Sequence, residues 1–127
     1  MRPREEAERL LKKSAEDEAL LDQTLTNQSI ADATWGFHAQ QAVEKILKAV
    51  LASRATPYSK THDLAALSEL ISSQGLVCPI GIDALDAFTP FAVSLRYDDD
   101  FDVELDRVEA RALVAQLRTW AEKLVRV

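Results

Sequence analysis

The residues able to do chemistry gather in two short stretches. Gly36 to Leu51 reads GFHAQQAVEKILKAVL and carries His38, Gln40, Gln41, Glu44, Lys45 and Lys48; Lys60 to Leu64 reads KTHDL. Cations, imidazoles and amides in such density suit an anion. Lys45 and Lys48 are three residues apart and share a helix face, which Gln41 and His38 continue. Thr61 is expected as a helix N-cap, where free amides favour a phosphate, with Lys60 beside it. His38, Gln41, Lys45, Lys48, Lys60 and Thr61 are therefore the candidate nucleotide- or phosphate-binding residues. Gln40, Glu44, His62, Asp63 and Arg96 are the candidate partner-facing or structural polar groups. Arg96 has a planar fork suited to two phosphate oxygens, but Asp98 to Asp100 follow it and would neutralise it. It therefore ranks above the lysines only for a protein partner.

Other chemistries fit less well. His38 and His62 are the only histidines, and two ligands without a close third make a poor metal site. Asp98, Asp100, Asp102, Asp106 and Glu109 stand at positions 1, 3, 5, 9 and 12 of an EF-hand-like loop. Its sixth position is Val103, where the turn demands glycine. The last two acidic residues read better as the start of a helix. Ser14, Ser94 and Cys78 lack a base at motif spacing, and no glycine-rich phosphate loop is present. No cofactor is expected.

Five helices must position these groups. Pro3 opens the first, which carries Ala7, Leu10, Leu11, Leu21 and Leu25 on one face and ends near Thr24 or Thr26. The second spans about Asp32 to Ser53 and the third begins near Thr61, with Leu64, Leu67, Leu70 and Ile71 on one side. SSQGLVCPIG forms a loop. The fourth covers about Ile82 to Arg96 with a kink at Pro90, and an acidic loop, YDDDFD, follows. The fifth runs from about Val103 to Arg126 with Leu105, Val108, Leu113, Leu117, Trp120 and Leu124 as its apolar residues. Short connections imply antiparallel neighbours, hence an all-α, up-and-down bundle of four to five helices forming one domain over residues 1–127.

At about 100° per residue, Ala39, Ala42, Val43, Ile46, Leu47 and Val50 fill one arc of the second helix. His38, Gln41, Glu44, Lys45 and Lys48 lie opposite and read as its solvated face. Gln40 falls inside the apolar arc and is expected to be buried, bonded to a neighbouring helix near His62. Phe37 falls among the charges, which points to a neighbouring helix or a second subunit and hence to a homodimer.

Composition narrows the setting. A lone Cys78 excludes an intrachain disulfide and fits a reducing cytoplasm. MRPREEAERL places charge where a signal peptide has its apolar core, and no apolar run reaches bilayer length. The net charge of −6 excludes a generally basic, nucleic-acid-coating surface.

Taken in order, FHAQQAVEKILKAVL, KTHDL and LRY resemble the HEPN family of small helical bundles over nearly the whole chain. The resemblance implies a four- or five-helix bundle, commonly dimeric and associated with nucleotide binding. It also implies a small nucleotidyltransferase as partner, toxin–antitoxin pairs included. Some relatives are RNases, with an arginine followed after four to six residues by a histidine near the end of the fourth helix. Here Arg96 is followed by no histidine, and Arg54 and His62 are separated by seven residues. Without that imidazole the obvious acid–base group for metal-free RNA cleavage is missing. The expectation is therefore a catalytically silent binding subunit for a nucleotide or a nucleotidyltransferase. The alternatives are a divergent RNase toxin using Arg96 and the acidic loop, and a purely structural oligomerisation module.

Overall fold

A computed structural model describes residues 2–92 and 105–126. The described residues form helices α1 (Pro3–Gln23), α2 (Asp32–Ser53), α3 (Leu64–Ser73), α4 (Ile82–Asp86) and α5 (Arg107–Val125), with a 3-10 turn at Thr89–Ala92 between the last two. No strand is present among them.

Helix α2 is the axle of the bundle. None of its residues from Ala33 to Ser53 is exposed, because α1, α3, α5 and the 3-10 turn all pack on it. The pairing with α1 is antiparallel: Ser14 meets Ala42, Asp17 meets His38 and Lys45, and Leu21 meets Trp35. Helix α5 is also antiparallel to α1, since Arg118 reaches Leu11 and Glu18 while Arg107 reaches Thr24.

Ala7, Leu10, Leu11 and Leu21 of α1 are buried as its periodicity implies, but Ser14 and Glu18 interrupt the stripe and are buried too. Glu18 is tolerated there because Ser14 donates to it and Arg118 Nε lies 2.6 Å away. On α5 the buried face is Ala110, Val114, Leu117, Ala121 and Val125, whereas Val108 is 68% exposed. Leu113, Trp120 and Leu124 sit half-buried at the flank of this face.

Several boundaries differ from expectation. Helix α3 is capped by Asp63, whose carboxylate accepts from the Ala66 amide, and not by Thr61. The fourth helix does not continue through a kink at Pro90. It ends at Asp86, and Pro90 lies in the tighter 3-10 turn, where its missing amide proton costs less. Helix α5 starts at Arg107, capped by Asp106, which accepts from the Glu109 amide. Two carboxylates of the EF-hand-like spacing thus belong to a helix start. Val103, Arg96 and the stretch Asp98 to Asp102 lie outside the described residues.

Arg107 fixes the connection from α1 to α2. Its guanidinium donates to the carbonyls of Thr24, Asn27 and Ile30 and to Asp32, and it lies over the Trp35 ring at 5.7 Å. One side chain therefore gathers the Ile30 carbonyl together with the Thr24 and Asn27 carbonyls, which already accept backbone amides of the turn.

Gly36 sets how closely the 3-10 turn approaches α2. A Cβ there would stand 2.3 Å from the Phe91 ring. Glycine inside a helix costs roughly 1 kcal/mol relative to alanine, yet here it admits an aromatic ring against the backbone. Gly36→Ala is expected to destabilise the fold by about 1–3 kcal/mol despite its better helix propensity. Urea denaturation checks this, and an unchanged or raised midpoint would show that Phe91 moves aside freely.

Candidate functional site

The polar side of α2 lies in the trough between α1 and the segment joining α2 to α3. It is not the solvated face its pattern suggests. Glu44 is only 5% exposed and Gln40 is fully buried, while His38, Gln41, Lys45 and Lys48 are half-buried. The expectation of a wet face fails because helix α1 covers one side of the arc and the α2–α3 segment the other.

Two carboxylates organise this belt in the same way. Asp17 of α1 places one oxygen 3.1 Å from His38 Nδ1 and the other 2.6 Å from Lys45 Nζ. Glu44 places one oxygen 2.8 Å from His62 Nδ1 and the other 3.0 Å from Lys48 Nζ. A carboxylate only accepts, so each histidine donates from Nδ1 and a neutral ring keeps its lone pair on Nε2. Gln40 joins the second cluster, donating to Glu44 at 3.0 Å and to the His62 carbonyl at 3.3 Å. Gln41 donates to Gln40 Oε1 at 2.8 Å, which extends the network along the belt.

Burial pushes the Glu44 carboxyl up, but donation from Gln40, His62 and Lys48 outweighs this and holds it below the ordinary carboxylate range. Glu44 is therefore an anion at neutral pH, and a satisfied one. Lys48 also lies 5.7 Å over the Tyr58 ring, so the segment after α2 covers by aromatic contact a lysine whose ion pair is to Glu44 of its own helix.

Of the proposed anion-binding set, the fold brings His38, Gln41, Lys45 and Lys48 onto one strip. Lys60 is exposed on the adjoining segment and makes no ion pair among the described residues. Thr61 has no helix-end amides to offer. Its hydroxyl accepts from the Asp63 amide, and the Asp63 carboxylate occupies the start of α3 where an anion would sit. Arg96 lies outside the described residues. Cys78 is half-buried and burial pushes its thiol up, which removes it as a ready nucleophile. Among the described residues no group of three or more His, Cys, Asp or Glu could hold a metal ion.

Asp17 and Tyr58 were missed in the sequence. Asp17 lies at the edge of the α1 apolar stripe, inside an EDE run that reads as surface charge. Tyr58 lies in a proline-containing connection with no period to place it.

A family model for the HEPN domain matches residues 5–124, and the chain belongs to that family. Comparison with curated proteins and with solved structures gives no match. No helix among the described residues is long and apolar enough to cross a membrane.

Gln40→Ala is expected to cost about 1–2 kcal/mol at neutral pH, since a buried carboxylate loses a donor. The folded-state Glu44 carboxyl is depressed, so its contribution is present above the unfolded value and lost as pH falls through the folded one. The cost of Gln40→Ala should accordingly shrink in acid. Urea titrations at pH 7 and at acid pH measure both effects; equal midpoints for variant and parent at pH 7 would remove Gln40 from the network.

Proposed function

We propose that this HEPN-domain chain is a non-catalytic binding subunit that takes a nucleotide along the α2 belt. The reading continues to a homodimer that associates with a small nucleotidyltransferase, as in toxin–antitoxin-type pairs. The observation that carries it is the strip of His38, Gln41, Lys45 and Lys48, each half-buried and pre-oriented, with exposed Lys60 beside it. Pre-orientation matters because little side-chain freedom remains to be lost on binding.

The electrostatics shape what such a site holds. Lys45 and Lys48 each already face a carboxylate, so they attract a phosphate less than free lysines would. Each ammonium nonetheless has three donors, and one carboxylate bond leaves others for a ligand. The belt therefore favours a ligand that hydrogen-bonds along its length, with Lys60 supplying the uncompensated charge. The non-catalytic reading rests on the absence of any histidine after Arg96 and on imidazoles committed through Nδ1 to carboxylates. Phe37, half-exposed and edge-on to His38 at 5.3 Å, supports a second subunit near the same strip.

Titration calorimetry with ATP, GTP and a short RNA tests the ligand. Binding of one nucleotide is expected, weakened about tenfold in the Lys60→Ala variant with its melting temperature unchanged, because Lys60 is exposed. Lys48 is unsuitable for this substitution because its loss strips a partner from buried Glu44. Equal affinity in the variant would move the site elsewhere, and no affinity for any of the three would leave protein association as the remaining role.

A further inference from the structure

The belt carries the same three-part unit twice. Asp17 holds His38 and Lys45 nearer the start of α2, and Glu44 holds His62 and Lys48 nearer its end. His38 thus shares its surroundings with Asp17 from α1 and Lys45 from its own helix. His62 meets Glu44 and Lys48 from α2, and Lys60 and Asp63 flank it on its own segment. From α1, the Glu6–Arg9 pair acts on Tyr58, whose ring lies under Lys48. With both imidazoles neutral, each of the two carboxylates balances one lysine. Lys60 is then the belt cation left without an ion pair among the described residues.

A histidine that donates from Nδ1 keeps that bond when a second proton arrives on Nε2, and it gains a charge. Each carboxylate then faces two cations and leaves one positive charge over. Solvent reaches both rings: the His62 side chain is 60% exposed and that of His38 30%, although the Glu44 side chain beneath His62 is only 7% exposed. Glu44, held below the ordinary carboxylate range by its donors, stays ionised while the imidazoles titrate. We propose that the belt is a pH-responsive anion site, in which protonation of His62 and His38 raises the positive charge of the strip and tightens its hold on a nucleotide phosphate as pH falls from about 8 to about 6. The proposal rests on the nucleotide reading of the belt and adds its regulation.

Coupling is reciprocal, so a ligand that binds the protonated belt more tightly must also make the rings easier to protonate. The test follows both imidazoles by ¹⁵N NMR through a pH titration of the whole chain, alone and with saturating ATP or GTP. The His62 titration midpoint is expected to rise by about one pH unit on binding, equivalent to about tenfold in affinity, and that of His38 to move the same way. This readout does not depend on the titration of the ligand's own phosphate. His62→Asn keeps an amide donor for Glu44 but cannot titrate, so the ratio of affinities at about pH 6 and about pH 8 should fall below the parent's. Nucleotide bound with both midpoints unmoved or lowered, or a His62→Asn variant with the parent's full pH response, would overturn the proposal and leave the nucleotide reading standing. No binding of either nucleotide across the range would overturn that reading, and this one with it.

Discussion

The arrangement of this bundle depends on pairing buried carboxylates across helices. Glu44 and Glu18 are each about 5% exposed, and an unpaired carboxylate at such depth would cost several kcal/mol. Glu18 ties α1 to α5 through Arg118, and Glu44 ties α2 to the segment before α3 through His62. Asp17 does the same between α1 and α2 with Lys45 and His38. Apolar packing brings the helices together, but it is non-directional. The ion pairs specify which turn of one helix faces which turn of the next.

This constraint explains why the central helix can be so polar and still be covered. A helix with neighbours on every side normally reads as apolar all round. Here α2 keeps a polar arc because α1 and the α2–α3 segment bring carboxylate and imidazole groups to meet it. The result is a strip of half-buried, pre-oriented donors rather than a mobile solvated face. That strip is the feature on which a ligand or a partner can draw without ordering new side chains.

Much of the fold was legible from periodicity. The bounds of α1 and α2, the buried Gln40 and the bundle class all follow from apolar spacing and a few breakers. The cap of α3 was misplaced because Thr61 and Asp63 are both good caps, and only the backbone chooses between them. The belt was half legible. Its α2 members were found on a helical wheel, but their burial depends on Asp17, Tyr58 and His62, which come from other segments. The clue for the α1–α5 pairing lay in Ser14 and Glu18, two polar residues set within an apolar stripe. That intrusion is the same signal that flagged Gln40, and it marks a buried network in both cases.

The central claim is that Asp17 and Glu44 organise the belt by accepting from both histidines. Long-range ¹⁵N NMR of the histidine rings reads this directly, because it separates the two neutral tautomers. Both His38 and His62 should carry the proton on Nδ1 when neutral, with Nε2 unprotonated. A proton resident on Nε2 in either ring would contradict the account, since that ring would then have no hydrogen to give its carboxylate.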